Sequence, residues 1–137
     1  IYEKPSTPFV AKFVGFDNHL QGTIQDQQQD VLLVQVLGET LRCKTTGSPG
    51  ATFQKGEPVE LFFRPEDVIL SDEPGENSLA IQIHYATYQG SSVRYALQFH
   101  DTSITVEVPG KKMFATGQCH LHIPEEKILI ERRETNA

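Results

Sequence analysis

The sequence predicts an all-β fold built twice over, as two similar five-stranded units closed into small barrels and preceded by one short helix. Three observations carry this expectation. From residue 20 onward, short segments rich in β-branched and aromatic residues alternate with turn-forming stretches. The same order of segments appears twice, with corresponding residues 59 to 61 positions apart. A distinctive pattern of apolar strand, proline, two acids and apolar strand also recurs, as FFRPEDVILSDE from Phe62 and as HLHIPEEKILIER from His120.

The helix comes first. Pro5 and Pro8 punctuate the N-terminal stretch, and Phe9, Val10, Phe13 and Val14 then recur at i and i+4 until Gly15 ends the pattern. Residues 1–18 are expected to hold this one short helix ahead of the first unit. In the first unit, residues 19–73, the strands are LQGTIQD, VLLVQVL, TLRCK and PVELFFR, separated by turns around Gln27 to Asp30, at Gly38-Glu39 and at Gly47-Ser48-Pro49-Gly50. A polar stretch from Ser71 to Asn77 connects to the second unit, residues 74–137. There SLAIQIHYATY and SVRYALQF flank Gln89-Gly90, SITVEV follows His100-Asp101-Thr102, and CHLHI follows Gly117. Strands packed this densely favour closed barrels, which leave no free edge.

The repeated proline has a physical reading. Proline lacks the amide hydrogen a ladder needs, so Pro65 and Pro124 stop the preceding strands, and their φ suits the first position of a helical turn. Glu66-Asp67 and Glu125-Glu126 then occupy that turn, where free backbone amides favour carboxylates. Val68–Leu70 and Ile128–Ile130 resume a strand. Paired acids also suit acid–base catalysis, but adjacent residues point in different directions and no partner base accompanies them.

Composition limits the partners. Twelve Lys and Arg against eighteen Asp and Glu leave a net charge of -6, and no basic run exceeds two residues, so the footprint that neutralises nucleic-acid phosphates is missing. Tyr85, Tyr88, Tyr95 and Phe99 therefore read as core and interface aromatics, not as a platform for stacked bases. Two cysteines, Cys43 and Cys119, are too few for a disulfide framework and read as free buried thiols, with a bridge between them left open. The longest apolar run, Val31–Val34, is strand-sized, and the first seven residues lack the apolar stretch of a signal peptide.

The remaining chemical patterns are incomplete. His120 and His122 share one strand face, but a metal needs further ligands, for which His84, His100 and Glu107 are the arithmetic candidates. The stretch GSPGATFQKGE has no lysine and hydroxyl where a phosphate-binding loop requires them. Ser91-Ser92 sits in a hairpin turn with no base at a recognisable spacing. No catalytic, metal or cofactor-binding residue is expected in this chain.

With these residues in view, a family resemblance emerges. IYEKPSTPFVAKFVGFDN resembles the segment that leaves the nucleotide-binding domain in ATPase subunits of bacterial ABC importers, and RPEDVIL, Arg64 to Leu70, is similar to a characteristic stretch of their accessory C-terminal domain. YQGSSVRYAL and SITVEVP look like the second half of that domain, called TOBE, a tandem of oligonucleotide/oligosaccharide-binding (OB)-like barrels found in spermidine/putrescine and iron(III) importers. The resemblance implies a regulatory and dimerising module and no ATPase activity of its own. ATP and magnesium would belong to an N-terminal domain that also meets membrane permease subunits, on the cytoplasmic side of the inner membrane. It further implies a homodimer, no nucleic acid, and room for a small regulatory ligand; the alternative, which the duplicated unit itself suggests, is a free-standing small-ligand or oxyanion-binding OB-like module. Contacts are expected at the proline corners and on the aromatic strands of the second half, at Arg64, Pro65, Glu66, Asp67, Tyr88, Tyr95, Pro124 and Glu125.

Overall fold

In a computed structural model, the described residues are 14–45, 52–111 and 117–133. They form ten strands: β1 Asn18–Gln28, β2 Val31–Val36, β3 Glu39–Lys44, β4 Pro58–Phe63, β5 Ile69–Ser71, β6 Ser78–Tyr88, β7 Ser92–Phe99, β8 Thr102–Pro109, β9 Gly117–His122 and β10 Leu129–Arg132. The only helical elements among them are two single turns, at Pro65–Asp67 and Glu125–Lys127. The predicted all-β, OB-like class is what the chain adopts, as two curled five-stranded sheets. Of the helix expected within residues 1–18, residues 1–13 lie outside the described residues, while residues 14 and 15 form a turn and Asn18 already opens β1.

Side-chain alternation explains why these segments are strands. In β7, Val93, Tyr95, Leu97 and Phe99 point to the core while Arg94, Ala96 and Gln98 stay partly exposed. In β1, Asn18, Leu20, Gly22 and Ile24 point inward and the intervening residues outward. Both long strands carry a bulge, between Ile24 and Asp26 in β1 and between Ile83 and Tyr85 in β6, which bends each strand around its core. Gly22 is required for close packing, since a Cβ there would lie 2.7 Å from Val34 and 2.8 Å from the Gln35 carbonyl. The β2–β3 hairpin turns on Leu37 and Gly38, both at positive φ, the geometry that matches strand twist in a two-residue loop.

The strand order departs from a simple pair of self-contained units. One sheet runs β10-β4-β1-β2-β3 and the other β5-β9-β6-β7-β8, all antiparallel. Each sequence half therefore lends its last strand to the other half's sheet. The sheets do not follow the expected boundary between residues 73 and 74. The prolines supply the reason, because a residue without an N–H cannot extend the ladder, so the chain leaves its own sheet at each corner. The strand that follows then finds its partner across the interface, Ile69 opposite His122 in one case and Leu129 opposite Phe62 in the other.

The corners also cover the exposed edges. The turn at Pro65–Asp67 packs on β8, the outer strand of the second sheet, while β5 pairs at that sheet's opposite edge. The turn at Glu125–Lys127 packs on β3, and β10 likewise pairs at the opposite edge. Each corner segment thus spans the seam where a sheet would close on itself. No ladder joins β3 to β10 or β8 to β5 among the described residues.

Candidate functional site

Chemistry concentrates where the two sheets meet. Asn18, at the start of β1, is the one buried polar residue among those described, 2% exposed. Its Nδ2 donates to the Thr105 carbonyl at 2.8 Å, and the Thr105 amide donates to its Oδ1 at 2.8 Å. Asn77, just before β6, does the same to β3: the Arg42 amide donates to Oδ1 at 2.6 Å, and Nδ2 donates to the carbonyls of Arg42 at 3.0 Å and Ile123 at 2.6 Å. The two asparagines occupy matching places in the two halves. Each reads the free edge of a strand in the opposite sheet, satisfying groups that would otherwise be open to another chain.

Around the Asn77 clasp lies a cleft of about 580 Å³, lined by Arg42, Glu76, Asn77, His122, Pro124, Glu125 and Glu126 among others. Arg42 Nε donates to Glu125 Oε1 at 2.9 Å, tying β3 to the second corner. That hydrogen bond, and the charge of Glu125 behind it, raise the Arg42 pKa above its usual value. The His122 ring packs against Gly75, and its nitrogens lie 3.3 Å (Nδ1) from the Glu76 carbonyl and 3.1 Å (Nε2) from the Glu73 carbonyl. A second cleft, about 380 Å³, brings both corners together: Arg64, Glu66 and Asp67 face Glu126 and Lys127, with Phe16 beneath the Arg64 guanidinium at 4.4 Å.

The sequence-predicted contact residues divide accordingly. Arg64, Glu66 and Asp67 line the cleft between the corners, and Pro124 and Glu125 line the Asn77 cleft. Pro65 is buried under its own corner. Tyr88 is half-exposed at the far end of β6, where its hydroxyl donates to the Gly90 carbonyl. Tyr95 is 0% exposed, so on this fold it is a core residue and not a surface contact; it lies on the inward-facing alternation of β7. Phe99 is buried with it, whereas Tyr85 is 63% exposed, so these aromatics form no common stacking surface.

Sequence reasoning missed Asn18, Asn77 and Arg42. A signal was present, because the asparagines stand at the same repeat offset as the two prolines. The histidines are brought together differently from the arithmetic: His84, His100 and His120 line one groove of about 550 Å³ on the second sheet, and His122 faces the other cleft. Glu107 is engaged by Arg94 at 3.0 Å. Among the described residues no group of three or more His, Cys, Asp or Glu side chains is placed to hold a metal ion. Cys43 and Cys119 are free thiols buried in different sheets. Burial, and then the charge of Glu125, push the Cys43 pKa up to about 12, while Cys119 Sγ donates to the Ser71 carbonyl at 3.0 Å. No helix among the described residues is long and apolar enough to cross a membrane.

Comparison with known proteins agrees with this architecture. A family model described as the TOBE domain matches residues 61–129, from β4 to the start of β10. The chain is 34% identical over 101 residues to the spermidine/putrescine import ATP-binding protein PotA of Rubrobacter xylanophilus, covering 74% of this chain and 26% of that protein. It is 34% identical over 107 residues to PotA of Borreliella afzelii, with 78% and 28% covered. It is 23% identical over its whole length to the sulfate/thiosulfate import ATP-binding protein CysA of Thermosynechococcus vestitus, covering 33% of it. The chain therefore spans about a quarter to a third of the length of these curated relatives. Among solved structures, the cytoplasmic molybdate-binding protein ModG, with molybdate bound, shares the fold at a TM-score of 0.67 and 14% identity, covering 85% of this chain and 96% of that one. Two curled sheets that exchange their last strands at proline corners, together with the match of half the chain to one family model, place this chain in the TOBE domain family.

Proposed function

We propose that the chain is the regulatory and dimerising domain of the ATP-binding subunit of an ABC import transporter. The observation that carries this reading is the similarity to import ATP-binding proteins over three-quarters or more of the chain. The structural rationale is stiffness. Exchanged strands and two asparagine clasps join the halves into one body, so a contact made on either half is transmitted to both. A partner or ligand that prefers one arrangement of the parent dimer then shifts the population by its differential affinity, typically about 1–3 kcal/mol. On this reading ATP and magnesium bind a separate domain of the parent, which meets membrane permease subunits on the cytoplasmic face. Polyamine or iron(III) is the proposed cargo class.

A ligand-binding role on the same fold is the second reading, and ModG's molybdate makes an oxyanion its natural version. The cleft at Asn77 favours a cation instead, since Glu76, Glu125 and Glu126 line it and its arginine is already held by Glu125. Sedimentation of the chain tests the first reading: concentration-dependent self-association unaffected by ATP is expected, and a strict monomer at high concentration, or tight ATP binding, would count against it. A thermal-shift screen of polyamines, ferric complexes, molybdate, tungstate and sulfate tests the second, because a ligand of the folded state raises the melting temperature. No shift with any of them removes that reading.

A further inference from the structure

The connector between the two halves is held by one side chain in an unusual way. His122, on β9, presents Nε2 to the Glu73 carbonyl at 3.1 Å and Nδ1 to the Glu76 carbonyl at 3.3 Å. A carbonyl oxygen only accepts hydrogen bonds, and a neutral imidazole has a single N–H to donate. Both contacts are hydrogen bonds only when the ring is imidazolium. With a neutral ring, one lone pair faces a carbonyl lone pair and the contact turns repulsive.

The surroundings keep the ring in this position. Gly75 lies close against it, and a Cβ there would come within 2.6 Å of Cε1, so the ring holds this position only beside a glycine. The connector's own turn is closed by the Gly75 amide donating to Ser78 Oγ at 3.1 Å and the Glu73 amide donating to Ser71 Oγ at 3.1 Å. The charged groups around the cleft are Glu76 on the connector, Arg42 on β3, and Glu125 and Glu126 at the second corner, with Glu73 beside the ring and His120 two residues earlier on the strand. Arg42 is engaged by Glu125.

We propose that His122 is a proton-dependent staple: its imidazolium holds the connector, residues 72–77, against β9, and loss of one proton releases one of the two contacts. This role is independent of the domain's place in a transporter. The connector also carries Asn77, whose amide clasps β3, so release would loosen the joint between the halves.

The test is amide exchange by NMR on the full chain, with the protonation state of His122 read from its imidazole shifts in the same samples. Exchange at Glu73 and Gly75, corrected for intrinsic base catalysis and referenced to the Gly110 amide of a distant turn, should quicken about tenfold as His122 loses its second proton. His122→Phe keeps a ring against Gly75 but no N–H, and should exchange rapidly at every pH. Gly75→Ala, which displaces the ring, should do the same, and His120→Gln should keep the wild-type profile. Connector exchange that ignores the state of His122 in the wild type would overturn the proposal, and that profile decides the matter even where a variant fails to fold.

Discussion

Asn18 holds Thr105, 87 residues further along the chain, through both backbone groups at once, giving with its amide what a neighbouring strand would give with its peptide. The contact is sheltered, and removing the side chain strands a donor and an acceptor together. Asn18→Ala should therefore cost about 2–3 kcal/mol, read as a lower urea midpoint at unchanged slope. Asn18→Asp keeps the acceptor but turns a carboxylate oxygen toward the Thr105 carbonyl, and should be no milder. A loss below about 0.5 kcal/mol for both would mean the clasp adds nothing beyond what water supplies.

The second clasp can be separated from its backbone. Asn77 sits at φ +52°, a left-handed conformation that asparagine tolerates and alanine resists. Asn77→Gly removes the clasp while accommodating that geometry, and should lower stability by about 1–2 kcal/mol. Asn77→Ala should lose about 1 kcal/mol more from strain. Equal losses would assign the whole effect to the clasp.

Because β5 and β10 are exchanged, neither half owns a complete sheet. Chemical unfolding should show one transition, coincident for probes placed in β2 and in β7. Deleting residues 129–137 removes the edge strand beside β4 and the buried Ile130, and should abolish cooperative unfolding in both halves, seen as loss of dispersed amide resonances throughout. A second half that stays folded after this deletion would contradict the coupling.

Cys43 supplies a pH dependence of known sign. Its folded-state pKa is raised from 9.0 to about 12, first by burial, so the folded chain holds this proton where the unfolded chain releases it. The stabilisation is complete below pH 9 and is lost as pH rises toward 12. Cys43→Val should remove about one proton from the alkaline slope of stability against pH. In the native state at neutral pH, Cys43 should also resist aromatic disulfide reagents.

Gly22 tests the packing between β1 and β2. A methyl group there meets the Val34 side chain and the Gln35 carbonyl at distances real contacts do not reach, and the carbonyl belongs to a strand that cannot easily move. Gly22→Ala should destabilise by about 1–3 kcal/mol even though alanine suits a strand better than glycine. A neutral result would show that β2 shifts freely.

Much of the architecture was legible because it is written in local terms. Alternating apolar residues mark the strands, turn residues separate them, and Pro65 and Pro124 break the ladder wherever the chain goes next, since a missing N–H acts locally. The repeat and the all-β class follow from these, whereas the family rests on the resemblance of stretches such as RPEDVIL to known sequences. Arg64, Glu66, Asp67, Pro124 and Glu125 line the seam clefts, whereas Tyr95 sits in the core because alternation along β7, once its register is set, leaves it no choice. What only the tertiary structure decided is partnership: which sheet receives β5 and β10, which strand edges Asn18 and Asn77 cover, and why His122 meets the connector. Such pairings join residues tens of positions apart, and their energies depend on which groups burial leaves without water, a quantity that no local pattern in the chain contains.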